Sequence, residues 1–317
     1  MNSSPPGKLL LARLGAGDIT IFAPSATDFV GLLTGGGGGA FGSLLQGMFL
    51  NANFGVHFAL LLGAHIIDDI FFLDPRPDGV MDGDMVKNLN DGDLTFGVET
   101  IPPPMMAPPM TPPRKEFSVS PGVNLVNGQP VFESIDVSQA NIALQDGVIH
   151  SISGLIGAPF LAVNVLQLAA ASGYTRFVEL VGEAGLTSDF DQFGITLFVP
   201  TNAALEDVSG DQGDILKSFA VFTGGATPNI YPSYALTSTD YETLYTTEAT
   251  VVVGSGSVTF NGATVIGTDL PANNGIVHVI DSYATGPEGD DDDDDDSSAA
   301  SKSLLVAAMA MALALFM

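Results

Sequence analysis

The chain of 317 residues has no cysteine and no tryptophan. Without thiols it can build no disulfide framework, no cysteine-ligated zinc site and no cysteine nucleophile. The compartment stays open, because a secreted domain large enough to bury a core can do without disulfides. Basic residues are almost as scarce. Nine Lys and Arg stand against 36 Asp and Glu, a net charge of −27. Neutralising phosphates takes clustered Lys and Arg, so nucleic acid is not an expected partner, nor is anionic lipid for the folded part. Four histidines occur, at 57, 65, 150 and 278, few enough to weigh singly. There is no Gly-x-Ser-x-Gly elbow. The glycine run 35–39 lacks the Gly-Lys-Ser/Thr ending of a phosphate loop and reads as a flexible insert.

What is present suffices for a core. Apolar residues make up 46% of the chain and charged residues 14%, which excludes wholesale disorder. The length predicts two domains.

The two ends read differently. The start, Met1 to Phe22, has only Leu9–Leu11 as an apolar run, too short for a secretory signal. At the other end, seven consecutive Asp at 290–296 lead into small residues, Lys302 and an uncharged tail. The last fourteen residues would cover about 21 Å as a helix, short of the ~30 Å hydrocarbon core. Small residues before such a tail fit a glycolipid-anchor signal, with Ser297 or Ser298 as attachment site. The other readings are a membrane-associated tail or a short helix packed on the fold. An anchor signal requires a secretory entry signal, so the expectation is that the natural protein begins upstream of Met1. The Asp run self-repels and reads as a spacer. Asn2-Ser3-Ser4 is the only Asn-x-Ser/Thr site, so the folded domains are expected to carry no Asn-linked glycan.

The sequence repeats itself. Ile19-Thr-Ile-Phe-Ala-Pro-Ser matches Ile195-Thr-Leu-Phe-Val-Pro-Thr: two short strands stopped by Pro24 and Pro200, each followed by a Ser or Thr able to cap a helix. Asp146-Gly-Val-Ile-His-Ser-Ile matches Asn274-Gly-Ile-Val-His-Val-Ile, a turn and then a β-branched run with a central His. Asn127-Gly128 and Asn261-Gly262 mark a tight turn upstream of each. The first copy is longer, through a Gly-rich stretch at 34–47, an Asp- and Gly-rich stretch at 74–93 and a Pro-rich stretch at 101–113. Helical spacing at Val163–Ala171 and Thr175–Ala184 predicts two helices ahead of the second copy. The first copy has room for one short helix before its strand. The second copy is therefore expected to fold alone, and the first to be marginal.

These residues resemble the fasciclin domain family. Its first box is similar to Thr20, Phe22 and Pro24, and to Thr196, Phe198, Pro200 and Thr201. Its second box is similar to Asn274, Gly275, His278 and Asp281, and in the first copy keeps Gly-Val-Ile-His up to His150 and departs after it. The resemblance implies an α+β fold: two tandem fasciclin-like β-wedge domains with helices packed on one side, the first incomplete at its N-terminus. The expected domains are 1–157 and 158–286, followed by an acidic linker 287–302 and an apolar tail 303–317. The resemblance also implies an extracellular adhesion or matrix-binding role. Some members use a Tyr-His pair for receptor contact; the matching positions are Ala64-His65 and Phe219-Ala220, one half of the pair in the first copy and neither in the second.

The residues themselves point away from chemistry. His150 and His278 each sit in an apolar strand, where a lone His is a core residue bonded through both nitrogens. His278 shares a face with Ile276 and Ile280. His65 lies in an apolar stretch and reads as core, and His57 as a loop edge. Asp74, Asp78, Asp82, Asp84, Asp91 and Asp93 crowd one stretch, but Arg76 and Met85 fall where a calcium loop needs ligands. A solvated acidic loop is expected, with Asp82, Asp84, Asp91 and Asp93 as weak calcium candidates. No catalytic residue and no cofactor are expected. The combined reading is a non-enzymatic cell-surface or extracellular adhesion protein, tethered to a membrane through its tail. Its partner would be an extracellular protein or polysaccharide. The alternatives are a soluble secreted ligand-binding protein whose tail packs on the fold and, less favoured, a hydrolase whose mechanism the motifs do not reveal.

Overall fold

The structure, a computed structural model, describes residues 5–25, 47–48, 51–74, 79–105, 113–126, 129–206, 208, 213–223, 229–245 and 247–283. The glycine run, Asp78, Asn127-Gly128, the Asp run, Ser297, Ser298 and the tail lie outside the described residues. The chain divides into two compact units, Met1–Gln46 with His57–Ala158, and Gly47–Val56 with Pro159–Met317.

The first unit opens with α1 (Pro5–Leu14) and β1 (Ile19–Pro24). Next come α2 (Gly55–Ala64), which enters from the neighbouring segment, and β2 (Ile66–Ile67). The strands β3 (Met85–Lys87), β4 (Asp93–Ile101), β5 (Arg114–Val126), β6 (Gln129–Leu144), β7 (Gly147–Ile152) and β8 (Leu155–Ile156) follow. The sheet order is β2-β1-β7-β6-β5-β4-β3, with β8 beside β5. Among the described strands only β1 and β7 run parallel; they are the carriers of the two repeated motifs, side by side. The Leu89 N–H, just past β3, donates to the Ile66 carbonyl in β2 at 2.8 Å, so the two ends of the sheet meet. Leu10 of α1 packs with Ile19, Ala59 and Ile66.

The second unit contains α3 (Val165–Ala171), α4 (Thr175–Glu183), β9 (Ile195–Pro200), α5 (Gly213–Ser218), β10 (Ala220–Phe222), β11 (Thr239–Glu242), β12 (Glu248–Val253), β13 (Val258–Phe260), β14 (Ala263–Ala272) and β15 (Gly275–Ile280). Its order is β10-β9-β15-β14-β13-β12-β11, again with one parallel pair, β9 and β15. The ends meet here too, through the Leu244 N–H donating to the Ala220 carbonyl at 2.9 Å. The predicted helices appear nearly as read. Asn164 caps α3 in a reciprocal capping box with Gln167, which moves its start to Val165. The apolar face of α4 buries Phe177, Leu180 and Val181. Mixed sheets with helices packed beside them make the chain an α+β protein.

β9 and β15 are buried along their whole length, on both faces. Alternation therefore does not pick out a core face for His278: Ile276, Val277, Val279 and Ile280 are all buried. This is what a helix-covered central parallel pair demands.

The glycine at the head of each β15-type strand is fixed by that pairing. A Cβ on Gly275 would lie 2.1 Å from the Ile195 carbonyl oxygen, and one on Gly147 2.4 Å from that of Ile19. Neither contact is possible for a real side chain, so the parallel register Gly275↔Ile195 and Gly147↔Ile19 requires glycine at both places.

Candidate functional site

The repeated motifs converge on one device, built once in each unit. In the first, Thr20 of β1 is fully buried, and its hydroxyl accepts from the Phe71 N–H at 2.7 Å while donating to the Asp69 carbonyl at 2.8 Å. His150 of β7, next to it in the sheet, bonds the Phe71 carbonyl through Nε2 at 2.9 Å. Its Nδ1 accepts from the Asn141 N–H at 3.1 Å. Asn141 in turn accepts from the Leu73 N–H at 2.9 Å and donates to the Leu73 carbonyl at 2.6 Å. Strand motif and histidine motif thus hold one loop, 69–73, by its backbone.

The second unit repeats it. The Thr196 hydroxyl accepts from the Tyr231 N–H at 2.9 Å, and His278 bonds the Tyr231 carbonyl through Nε2 at 2.9 Å. His278 Nδ1 accepts from the Asp269 N–H at 3.4 Å, and the Asp269 carboxylate accepts from the Ser233 N–H at 2.7 Å and from the Ser233 hydroxyl. A carbonyl can only accept and an N–H can only donate, so both imidazoles are the neutral Nε2–H tautomer. Burial lowers both pKa values, and the loop carbonyls (with Asp269 beside His278) oppose it. Phe22 and Phe198 stand opposite the two histidines in the register, each ring 5.1 Å from its imidazole.

Asn141 and Asp269 went unnoticed in the sequence. Each sits at an irregularity of its strand, between Gln139 and Ile142 in β6 and between Gly267 and Leu270 in β14. Their φ values are +59° and +64°, a conformation that Asn and Asp tolerate better than most residues. The available signal was a short polar residue nine positions before each repeated His.

The remaining motif residues hold the strand ends. Asn274 is buried: its Oδ1 accepts from the Val165 N–H at 2.9 Å, and its amide donates to the Phe190 carbonyl at 2.7 Å and the Gln192 carbonyl at 3.2 Å. It ties β15 to α3 and to the turn before β9. The Asp281 carboxylate accepts from the Thr264 N–H at 2.9 Å. In the first unit, where the sequence departs from the box, the Ser153 hydroxyl takes the equivalent bond, from the Asp136 N–H at 3.0 Å. Pro24 and Pro200 end their strands opposite Ile152 and Ile280. The Thr201 hydroxyl accepts from the Ala204 N–H at 3.3 Å, starting the turn that follows.

His65 is buried, with Nδ1 on the Leu61 carbonyl at 2.8 Å and Nε2 accepting from the Ile156 N–H at 2.9 Å. Burial pulls its pKa down to about 4, against the raising effect of the Leu61 bond. His57 is not at a loop edge: it is fully buried in the first turn of α2, because Gly55–Ala64 is apolar all round and packs on every side. The Phe22 N–H donates to the His65 carbonyl and the Phe198 N–H to the Phe219 carbonyl, both at 2.8 Å. Phe219 is thus the counterpart of His65, and Ala64-His65 matches Ser218-Phe219, one position from the sequence alignment.

The acidic stretch caps a local turn and braces β3 and β4. Asp82 accepts from the Val98 N–H at 3.1 Å, Asp84 from the Met81 N–H at 2.8 Å, and Asp93 pairs with Lys87 at 2.8 Å. Asp91 sits in a turn at φ +61°. Asp82 and Asp84 lie before β3, Asp91 and Asp93 around the turn after it. Among the described residues no three acidic or histidine side chains converge as a metal site would need.

Residues 172–284 match the model of the fasciclin domain. A fasciclin-like arabinogalactan protein of Phaeosphaeria nodorum is 29% identical over 151 residues, which is 46% of this chain and 47% of that one. Stabilin-2 of Rattus norvegicus is 29% identical over 164 residues, 44% of this chain and 11% of its own length. A fasciclin-like arabinogalactan protein of Cercospora beticola is 30% identical over 161 residues, 49% and 42% of the two chains. The matched part thus spans about half the length of these relatives or less. Among solved structures, a FAS1 domain pair from the insect cell adhesion molecule fasciclin I covers 88% of this chain and 93% of its own, at a TM-score of 0.37 and 18% identity.

Proposed function

We propose that this chain, whose residues 172–284 match the fasciclin domain, is a non-enzymatic extracellular adhesion or matrix-interaction protein. One observation carries this reading. The polar residues of both motifs, in both units, bind backbone: Thr20 and Thr196 the loop N–H, His150 and His278 the loop carbonyl. Both ring nitrogens of His65, His150 and His278 are engaged, so none offers a lone pair as a general base. The motifs build a rigid support, and recognition falls to the surface it holds.

The partner in this reading is an extracellular protein or polysaccharide. The apolar tail after residue 302 is a signal exchanged for a glycolipid at Ser297 or Ser298, which tethers the chain to a membrane with the Asp run as spacer. Among the described residues no helix is long and apolar enough to cross a membrane. Detergent phase partition of the expressed protein, before and after a phospholipase that cleaves glycolipid anchors, tests the tether. Transfer from the detergent to the aqueous phase on cleavage is expected. A protein that is aqueous throughout favours the soluble secreted alternative. Adhesion of protein-coated beads to extracellular matrix tests the interaction role, and beads that settle no better than uncoated ones refute it.

A further inference from the structure

The loop held by Thr20 and His150 is anchored at alternate residues, 69, 71 and 73. The intervening side chains face the other way: Ile70 is 41% and Phe72 50% exposed. Met81 and Met85, at 61% and 68%, extend the apolar patch. Phe71, Phe72, Val80 and Met85 line a cleft of about 450 Å³ whose polar edge carries Asp74 and Asp84. Patches of large exposed apolar side chains around a cleft mark recognition surfaces.

The second unit gives a worked example of what lies along such a loop. Its equivalent segment runs from Asn229 to Ser233, and there Ile230 is fully buried. Residues 51–54, part of that unit, lie along it. The Asn51 and Asn53 amides both donate to Asn229 Oδ1 at 2.9 Å, and the Tyr234 hydroxyl donates to the Ala52 carbonyl at 3.0 Å. Phe54 stacks on Phe193 at 5.6 Å. A short helical turn, Ala52–Phe54, with Phe54 as its aromatic anchor, thus accompanies the loop in one copy, while Ile70 and Phe72 stand open in the other.

We propose that the cleft beside Phe72 and Met85 binds a partner segment that carries an apolar or aromatic anchor flanked by Lys or Arg. Charge complementarity selects the flanks. Asp69 and Asp82 are exposed beside Ile70 and Met81, and the cations described nearby, Arg13 and Lys87, are already paired with Asp68 and Asp93. A second copy of a chain of charge −27 would be repelled, and so would any polyanion. The proposal rests on the interaction role inferred above, and names its partner.

Two synthetic peptides test it on the full chain: one apolar, Phe-containing core flanked by Lys, and the same core flanked by Glu. The Lys peptide should bind, more weakly as salt rises, and Phe72→Ser with Met85→Ser should weaken it by about ten-fold or more. Both side chains are at least half exposed, so the double variant should keep the parent's circular dichroism. No binding of the Lys peptide, equal binding of the Glu peptide, or an unchanged affinity in the folded double variant would each overturn the proposal. Bead adhesion separates the two inferences. Adhesion without peptide binding removes the cleft and leaves the adhesion role; peptide binding without adhesion does the reverse.

Discussion

At the scale of single residues, the fold depends on a few polar side chains buried where the backbone cannot satisfy itself. Removing the Thr196 hydroxyl leaves the Tyr231 N–H without its acceptor, so Thr196→Val should cost about 1–3 kcal/mol of stability despite its near-identical shape. Thr20→Val should act alike in the first unit, and urea unfolding of each variant measures both. His65 gives a pH dependence with a definite sign. Its folded pKa of about 4 lies below the ordinary 6.5, so the unfolded chain takes up a proton that the native site refuses. Its contribution is complete above pH 6.5, declines as pH falls below that, and is lost once pH passes the folded value. At pH 5 the loss should be about 2 kcal/mol relative to neutrality. His150 and His278, lowered for the same reason, add in the same direction. Imidazole nitrogen shifts followed by NMR should keep their neutral-tautomer values at pH 5 for His65; a His65 titration near 6.5 would show that this ring is not held as described.

At the scale of elements, the parallel strand pair is the joint of each unit, and its tolerance is set by backbone contact. Gly275→Ala would drive a Cβ into the Ile195 carbonyl. The pair must separate or slip, at a cost of about 2–4 kcal/mol. Gly147→Ala should do the same in the first unit. Asn274→Ala should cost a similar ~2–4 kcal/mol, because three backbone groups from two neighbouring elements lose their partner at once. Differential scanning calorimetry of the variants checks the order, with substitution of exposed Thr250 by Ala expected to cost well under either.

At the scale of the whole molecule, charge is the dominant global term. With 36 acidic and nine basic residues, the folded chain repels itself. Raising salt from about 0.01 M to about 1 M shrinks the screening length roughly ten-fold and relieves that repulsion. The melting temperature should therefore rise by about 2–5 °C, a stabilisation near 1 kcal/mol. A fall would mean that attractive pairs such as Lys217–Asp189, at 2.6 Å, outweigh the repulsion. The same field favours cationic partners, as the cleft beside Phe72 requires.

The repeated strand–Pro and Gly–x–x–His motifs, the two helices before the second copy, the Asn261-Gly262 turn and the core character of His150 and His278 are legible in the residues alone. Each is a local pattern of apolar spacing, turn chemistry or capping that needs no distant partner to be recognised. What the motifs do emerges from the fold. That Thr20 and His150 grip one loop residue depends on β1 and β7 lying parallel, and no local pattern encodes which strands pair. Asn141 and Asp269 became visible through strand irregularities that turn a backbone N–H toward a ring nitrogen. His57 went inside because α2 is surrounded, which neighbours decide and periodicity cannot. Ser153 replaced Asp281 because the position asks only for an acceptor facing a backbone N–H, a demand that two chemically different side chains meet.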